Sequence, residues 1–336
     1  MIEPTLGRLA AGEDLSMDEM SAAIEAVIEG RLSDGETGIL LMALRAKGET
    51  CQELAGAARA LRRHMTPIRT RRTGVIDTCG TGGDGSGTFN ISTAAALVVA
   101  AAGVPVAKHG NRGITSKTGS ADALAALGVN VHASVERVER CLDQLGICFC
   151  FAPLLHPSMK KVAQVRKKLG VPTIFNLLGP LSNPAAAPFQ VVGVGRPELR
   201  PLLAEALLLL GTTRAVVVQG EDGLDEVTLA GPTRVTEVAG GGLRNFSWTP
   251  ADFGFSPASL DSLAVENPQQ SAAMIREILQ GTQGSPRDIV VLNAAAALWT
   301  AGLANTPSAC AKLAAAAIES GAAGELLKRL VQVSNE

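Results

Sequence analysis

The sequence predicts an α/β protein, with a small helical domain followed by a larger domain whose mainly parallel central sheet is flanked by helices. Two observations predict this fold. The first 65 residues show helical apolar spacing punctuated by capping boxes, and from residue 75 onward strand and helix patterns alternate. Such alternation is typical of a parallel sheet covered on both faces. We place the helical domain at residues 1–68 and the α/β domain at 72–336, with segment 159–182 packing on the helical domain.

The composition limits the class of protein. The 336-residue chain is 46% hydrophobic, carries a net charge of −2 and contains no Tyr, so it has neither the basic field nor the stacking surface of a nucleic-acid-binding protein. Its six cysteines follow no metal-ligand spacing, and its longest apolar run is about half the ~20 residues of a membrane helix. We expect a cytoplasmic protein with no nucleic-acid or membrane partner.

The N-terminal helices are predicted from their starting signals. Ser16, Ser33 and Thr50 are each followed three residues later by Glu, the spacing of a capping box. Helices this short bury little apolar surface alone, so the bundle should pack on the main domain or on a second copy of itself. We expect a homodimer through these helices, which charges at Ile39 and Leu40 would test.

The remaining elements follow from periodicity. Strands are expected near residues 75–77, 104–107, 129–132, 147–151, 190–194, 214–219 and 235–238. Helices are expected near residues 92–102, 120–127, 135–145, 159–169, 197–210, 271–279, 288–301 and 309–330.

Residues 79–90 form a glycine-rich loop between the first predicted strand and the helix near 92–102. Glycine lets a ligand approach the backbone closely, and a helix start presents free N–H groups to an anion. The loop therefore suits phosphate. A plain connector is the alternative, because the loop matches neither the dinucleotide nor the P-loop fingerprint. The N-cap of the helix is Asn90, Ser92 or Thr93.

Residues 108–119 form a second loop after the strand near 104–107. Its cations, Lys108, Arg112 and Lys117, suit phosphate, and it begins at the carboxyl end of a strand, where α/β sheets place their ligands. Further hydroxyl and amide contacts come from Asn111, Thr115, Ser116 and Ser120. Each residue alone is typical of a solvated loop, but two such loops in tandem favour phosphate binding.

The helix near 159–169 carries a charge inside its apolar face. Helical spacing puts Arg166 among apolar side chains, namely Met159, Val162, Ala163, Val165 and Leu169. A guanidinium there must be paired or must hold a ligand, because an unpaired buried charge is costly. A structural ion pair and a substrate contact are both consistent with this position.

An acidic pair, Asp225 and Glu226, follows the strand near 214–219. Such a pair is often only a polar turn. It also suits Mg²⁺, which proteins usually bind through one or two carboxylates together with water and substrate phosphates.

These residues resemble one known family. The motifs are Gly80-Thr-Gly-Gly-Asp84, Asn90-Ile-Ser-Thr93, Lys108-His-Gly-Asn-Arg112, Ser116-Lys-Thr-Gly-Ser-Ala-Asp122, Val165-Arg-Lys-Lys-Leu-Gly170, Phe175-Asn-Leu-Leu-Gly-Pro180 and Gly223-Leu-Asp-Glu226. Together they are similar to the anthranilate phosphoribosyltransferases of tryptophan synthesis, and the resemblance spans the chain. One departure is Gln164, where many members carry proline.

The resemblance implies transfer of a phosphoribosyl group from 5-phosphoribosyl 1-diphosphate to the amine of anthranilate. The diphosphate ester would contact Gly80, Gly83, Asp84, Thr88, Asn90, Ile91, Ser92, Thr93, Lys108, His109, Gly110, Asn111, Arg112, Gly113, Ile114, Thr115, Ser116 and Ser120. Anthranilate would contact Gly80, His109, Asn111, Pro153, His156 and Arg166. A pair of Mg²⁺ ions per monomer would bind at Ser92, Asp225 and Glu226.

Lys108, Asn111 and Arg166 are the expected catalytic residues. An aromatic amine is already a neutral nucleophile, so no general base and no covalent nucleophile are required. His109 either accepts a proton late in the reaction or serves by holding a backbone carbonyl or contacting anthranilate.

Two rival functions are weighed against this one. The second loop is shared with pyrimidine nucleoside phosphorylases, but the motif Gly80–Asp84 and Arg166 argue against a phosphorylase. A catalytically idle relative that binds nucleic acid should have a basic surface, whereas this chain is nearly neutral.

Overall fold

The computed structural model describes residues 2–113 and 117–336, so the predicted phosphate contacts Ile114, Thr115 and Ser116 lie outside the described residues. The N-terminal part forms α1 (Glu3–Ala10), α2 (Met17–Glu29), α3 (Asp34–Lys47) and α4 (Cys51–Arg63). The predicted capping boxes are confirmed. Ser16, Ser33 and Thr50 each accept a hydrogen bond from the amide of the Glu three residues on, and that Glu side chain accepts one from the amide of the cap residue.

The larger part contains the sheet. Its strands are β1 (Ile76–Gly80), β2 (Val106–Gly110), β3 (Ile147–Phe151), β4 (Phe189–Gly193), β5 (Arg214–Gly220), β6 (Thr233–Ala239) and β7 (Gly242–Trp248). They lie in the order β3-β2-β1-β4-β5-β6-β7. The neighbouring strands from β3 to β5 in this order are parallel. β6 pairs antiparallel with β5, and β7 pairs antiparallel with β6. The predicted fold class, a mainly parallel sheet flanked by helices, is confirmed.

Helices connect and cover the strands. They are α5 (Ile91–Ala101), α6 (Ser120–Leu127), α7 (Val135–Leu145), α8 (Ala152–Leu155), α9 (Met159–Leu169), α10 (Leu199–Leu209), α11 (Pro268–Leu279), α12 (Ser285–Thr300), α13 (Pro307–Glu319) and α14 (Ala322–Asn335). The single helix predicted near 309–330 is wrong. Its two halves are separated at Gly321, whose φ of +77° ends α13 before α14 begins.

Two strand predictions also need correction. The stretch 129–132 is not a strand, because it connects α6 to α7, and Val129 and Val131 are buried there by packing on the core. The sequence did not predict β7. Among its residues only Trp248 is buried, so the strand lacks the apolar alternation that predicts a half-buried strand.

The described hydrophobic residues form two clusters, one on each face of the sheet. One cluster joins α5, α7 and α11 to α14 with the sheet. The other joins α1 to α4 with α9, α10 and strand residues such as Val192 and Val217. The N-terminal bundle therefore packs on the main domain, which is one of the two arrangements expected from its small size. In the part of the chain that the structure describes, no helix is long and apolar enough to cross a membrane.

Candidate functional site

The site lies at the carboxyl edge of the parallel strands. The chain leaves β1 toward β2 and β3 on one side, while β4 and β5 lie on the other side of β1. Crevices at such a reversal of strand order are where open α/β sheets bind ligands. Gly80 and Gly193 pair at the ends of β1 and β4, so the loops after these strands start side by side.

Close backbone contacts bring the acidic segment onto these strand ends. A Cβ added at Gly193 would lie 1.6 Å from the Asp225 carbonyl oxygen, and one added at Gly80 would lie 2.9 Å from Asp225 Oδ2. Only glycine admits this approach. The Gly82 amide also donates to Asp225 Oδ2 at 3.0 Å. The first glycine-rich loop and the acidic pair are therefore neighbours.

The first turn of α5 meets the same acidic pair. Asn90 is the N-cap residue by position, but its side chain does not cap the helix. It accepts hydrogen bonds from the Thr118 and Ser271 hydroxyls, at 2.9 Å each. The Ser92 amide donates to Glu226 Oε1 at 3.0 Å. A helix start that is otherwise suited to an anion thus faces a carboxylate of the protein.

Ile91 and Thr93 are buried in the first turn of α5, and the Thr93 hydroxyl has no hydrogen-bond partner among the described residues. Thr88 and Asp84 are partly exposed on the loop, and Gly83 is exposed. The predicted contacts of this loop thus combine an exposed glycine rim with a buried helix start.

Lys108 lies between the two loops. The strand predicted near 104–107 extends to Gly110, so Lys108, His109 and Gly110 belong to β2. The Lys108 ammonium donates to the Thr78 carbonyl oxygen and to Ser92 Oγ, the latter at 3.3 Å. Burial lowers the pKa of Lys108, against the opposing attraction of Asp77 and Glu226.

Residues of the second loop, which follows β2, form hydrogen bonds with one another and with the first turn of α6. Asp122 binds Arg112 Nη1 and the Gly113 amide, at 2.9 Å each. The exposed Asn111 presents its carbonyl oxygen to Ser120 Oγ at 3.4 Å. In this structure the predicted phosphate-binding arginine is therefore paired with a carboxylate at the start of α6.

The carboxyl groups of Asp84, Asp225 and Glu226 lie close enough to interact electrostatically. Burial, followed by repulsion from Glu226 and Asp84, raises the pKa of Asp225 well above its usual range. Burial also raises the pKa of Glu226, to about 7, although Lys108 opposes the shift. Such carboxylates favour the approach of a cation. Among residues 2–113 and 117–336, no group of three or more His, Cys, Asp or Glu side chains is arranged to hold a metal.

The side chain of His109, the residue after Lys108, contacts the side chain of His156. His109 Nδ1 lies 3.0 Å from the Gly179 carbonyl oxygen, and His109 Nε2 lies 3.2 Å from His156 Nε2. We assign the Nδ1 proton to His109 from its carbonyl partner, so His156 donates to His109. His109 thus holds a backbone carbonyl, one of the roles considered for it. Pro153 is exposed on α8 and lies outside this pair.

Both imidazoles are expected to stay neutral between about pH 8 and pH 5. Burial lowers the pKa of His109 to about 4 and that of His156 to about 3, the latter helped by His109. The unfolded chain binds these protons near 6.5, so the pair's contribution to stability is complete above that pH and is lost as pH falls. NMR of the ring nitrogens measures the protonation directly. A His109 resonance that titrates near 6.5 would contradict the burial argument.

Arg166 lies at the edge of the apolar face of α9. Val162 and Val165 are buried, whereas Ala163 is exposed, so the apolar face is narrower than its spacing predicts. Arg166 is half-buried, donates to Asn176 Oδ1 at 3.3 Å and lies 5.8 Å from the Phe175 ring centroid. Burial lowers its pKa.

Within the described residues Arg166 forms no ion pair, so the structural ion pair considered above is not observed there. Segment 176–179 links Arg166 to the histidines, because Asn176 binds Arg166 and Gly179 binds His109. The segment therefore joins three of the predicted anthranilate contacts, Arg166, His109 and His156. The contacts described for this segment do not include Gly80, Asn111 or Pro153.

The sequence prediction gave no role to Asp77, Thr78 or Asn183, which the structure places beside Lys108 and His109. The available signal was Asp77, a charged residue inside a predicted central strand. Buried carboxylates are rare unless they are paired or functional.

Comparison with known proteins gives consistent matches. The profile of the "Glycosyl transferase family, a/b domain" matches residues 72–324, and that of the "Glycosyl transferase family, helical bundle domain" matches residues 3–65. The chain is 51% identical to the anthranilate phosphoribosyltransferase of Rhodopirellula baltica, over 96% of this chain and 94% of that protein. It is 48% identical to that of Syntrophobacter fumaroxidans over the full length of both.

Solved structures agree. The crystal structure of anthranilate phosphoribosyltransferase from Thermus thermophilus has a TM-score of 0.92 and 43% identity, covering 98% of this chain and 99% of that chain. The enzyme from Saccharomyces cerevisiae in complex with PRPP and Mg has a TM-score of 0.90 and 27% identity, covering 99% of this chain and 98% of that chain.

Proposed function

The chain belongs to the anthranilate phosphoribosyltransferases of the glycosyl transferase family, and on this premise we propose the reaction that it catalyses. It transfers the 5-phosphoribosyl group from 5-phosphoribosyl 1-diphosphate to the amine of anthranilate, giving N-(5-phosphoribosyl)anthranilate and diphosphate. The observation that carries this proposal is the convergence of Lys108, Ser92 and Glu226 between the two glycine-rich loops. Loss of anthranilate fluorescence on adding the second substrate and Mg²⁺ tests it.

The diphosphate ester binds between the two loops in this proposal. Two contacts support this placement: Gly80 lies against Asp225, and Lys108 donates to Ser92 Oγ. Gly80 and Lys108 lie in the neighbouring strands β1 and β2, after which the two loops begin. The other contacts proposed are Gly83, Asp84, Thr88, Asn90, Ile91, Thr93, His109, Gly110, Asn111, Arg112, Gly113, Ile114, Thr115, Ser116 and Ser120. Arg112 must exchange Asp122 for a phosphate oxygen, which is a charge-for-charge replacement.

Catalysis rests on stabilising the leaving group. As the bond between C1 and diphosphate breaks, negative charge grows on the diphosphate and positive charge on the sugar, so groups that bind diphosphate more strongly in the transition state speed the reaction. Lys108, buried between the loops, is placed to act in this way, together with loop N–H groups.

Ser92, Asp225 and Glu226 would hold Mg²⁺. The neighbouring carboxylates fit the ion, because a divalent cation would stabilise the ionised form that burial and repulsion between carboxylates disfavour. The small number of protein ligands also fits Mg²⁺, which keeps waters and substrate phosphates in its coordination sphere. When bound, Mg²⁺ supplies additional positive charge for the diphosphate, and we propose a pair of ions per monomer.

Anthranilate lies between α9 and the histidine pair in this proposal. Arg166 binds its carboxylate, since a planar fork matches a planar carboxylate and no protein carboxylate competes among the described residues. His109, His156, Gly80, Asn111 and Pro153 surround the ring and amine. Because both imidazoles are neutral, His109 does not act as a charged group here. It contacts the substrate with its side chain held in one position by its hydrogen bonds.

The rival functions receive no support. The relatives and solved structures described above are named for anthranilate phosphoribosyl transfer, not for nucleoside phosphorolysis or nucleic-acid binding. The six cysteines are free thiols, which supports placing the enzyme in the reducing cytoplasm.

We also propose a homodimer through α3 and α9. A mainly apolar groove between these helices is lined by Gly35, Gly38, Ile39, Met42, Ala43, Val165 and Leu169, together with the charged pair Asp34 and Lys168. Ile39 is 58% exposed and Met42 is 39% exposed. A second copy brings the same apolar face, and two-fold pairing of one patch with itself is the commonest way to cover such a surface.

Charges in this groove should separate the dimer. The double variant Ile39→Glu, Met42→Glu is expected to sediment as a monomer, because two buried carboxylates would oppose the interface. Leu40 is a wrong choice for this test, because it is fully buried in the bundle and a charge there would disturb folding. Leu313→Glu on α13, where the leucine is 42% exposed, is the matched control and should remain dimeric. A wild-type monomer would remove the proposal.

A further inference from the structure

β1 and β2 begin as an ordinary parallel pair and then separate. Ile76 pairs with Val106, and the Ile76 amide donates to the Pro105 carbonyl oxygen at 2.8 Å. In a regular parallel ladder the next step would join Thr78 to the residues on either side of Lys108. The described pairing instead stops at Ile76, although β1 remains paired with β4 along all its residues, from Ile76 to Gly80.

Side chains bind three of the four main-chain groups that this next ladder step would use. The contacts are His109 amide to Asp77 Oδ1 at 3.0 Å, Lys108 Nζ to the Thr78 carbonyl oxygen, and Asn183 Nδ2 to the Ala107 carbonyl oxygen at 2.8 Å. The strands therefore separate without leaving these polar groups unpaired.

This arrangement should make the fold less stable than a regular ladder between β1 and β2 would. Asp77 is fully buried, and burial raises its pKa, although the neighbouring Asn183 side chain and the charge of Lys108 oppose the shift. A main-chain hydrogen bond would satisfy the His109 amide without burying a carboxyl group. Asn183 is also buried, and its Oδ1 is fixed by the Ala185 amide at 2.8 Å.

The separation determines where Lys108 lies. In a closed ladder the His109 amide would occupy the Thr78 carbonyl oxygen, which is the acceptor that now holds the Lys108 ammonium. Asp77 prevents this competition by binding the His109 amide. Asn183 acts from the other strand by occupying the Ala107 carbonyl oxygen.

We propose that Asp77 and Asn183 are positioning residues for phosphoribosyl transfer, because together they hold β1 and β2 apart and so fix Lys108 between the two loops. This inference rests on the proposed function. Neither residue touches substrate; both act through Lys108 and the segment that follows it.

The test uses the full-length protein and compares Asp77→Ala and Asn183→Ala with the wild type. Each variant is expected to lower kcat/KM for 5-phosphoribosyl 1-diphosphate about 10–100-fold, the range for residues that orient a functional group. The change in the KM for anthranilate should be smaller, because Arg166 holds the anthranilate carboxylate. Asp77→Asn keeps an acceptor oxygen for the His109 amide and should recover most of the activity. Ser182→Ala, which alters a buried neighbour of Asn183, should leave both constants unchanged.

Calorimetric binding of Mg²⁺ and inorganic diphosphate provides a readout that does not need turnover. Binding should weaken in Asp77→Ala and recover in Asp77→Asn. Full activity and diphosphate binding in both alanine variants would overturn the inference. So would equal losses for the two substrates with a lowered Tm and no recovery in Asp77→Asn, which would indicate a packing role. A wild type that binds diphosphate but never consumes anthranilate would instead overturn the proposed function.

Discussion

Replacing Arg166 with alanine is expected to lower kcat/KM for anthranilate. The variant should lose about 2–5 kcal/mol of transition-state binding free energy, the range for truncating one partner of a buried charge pair. That corresponds to roughly 30-fold to several thousand-fold in rate. The KM for 5-phosphoribosyl 1-diphosphate should hardly change, because that substrate rests on the two loops. Tm should also change little, because Arg166 forms no ion pair among the described residues whose partner would be left unpaired.

Steady-state kinetics for both substrates and a melting curve measure these effects together. Lys167→Ala is the matched control, because Lys167 is the next residue on α9 and is exposed. A large fall in Tm, with both KM values moved alike, would show that Arg166 is a packing residue rather than a substrate contact.

Replacing Asp225 and Glu226 with Asn and Gln is expected to raise the Mg²⁺ concentration needed for activity and to reduce turnover by at least the roughly 10–100-fold seen when supporting groups of a metal site are lost. The free energy of unfolding should not fall. Burial raises the pKa of both carboxyls, and repulsion from neighbouring carboxylates adds to the shift of each, from Glu226 and Asp84 on Asp225 and from Asp84 on Glu226. Ionising them in the folded state is therefore unfavourable, and this cost grows as pH rises. The neutral variant should therefore melt at the same or a higher temperature near pH 8.

Mg²⁺ titrations of activity and of Tm test this assignment. Added Mg²⁺ should raise the Tm of the wild type but not that of the double variant, since only the wild type retains the binding carboxylates. Glu221→Gln changes an exposed carboxylate of the same segment and should behave as the wild type. Unchanged Mg²⁺ dependence in the double variant would place the metal elsewhere.

Local signals in the sequence predict much of this fold. Capping boxes at Ser16, Ser33 and Thr50 locate helix starts, because the bonds involved span only three residues. The bounds of α9, Met159–Leu169, also follow from apolar spacing and Gly170. Signals fail where burial is set by distant partners, as for the buried valines near 129–132 and the exposed strand β7.

The candidate site shows the same division. Glycine spacing and clustered cations predict the two loops, because their chemistry is local. The split between β1 and β2 depends on a strand pairing and on Asn183, which is 76 residues from its acceptor Ala107. No local pattern reports such a contact. Likewise, only the packed bundle shows that Ile39 is exposed and Leu40 is buried.

The most direct test of the central claim is a stoichiometric assay of the purified protein with anthranilate, 5-phosphoribosyl 1-diphosphate and Mg²⁺. Anthranilate fluorescence and released diphosphate are followed in the same sample, with the Arg166→Ala variant alongside. We expect one diphosphate to appear for each anthranilate consumed in the wild type, and much slower consumption in the variant. Diphosphate release without loss of anthranilate, or no change in either at any Mg²⁺ concentration, would contradict phosphoribosyl transfer to anthranilate.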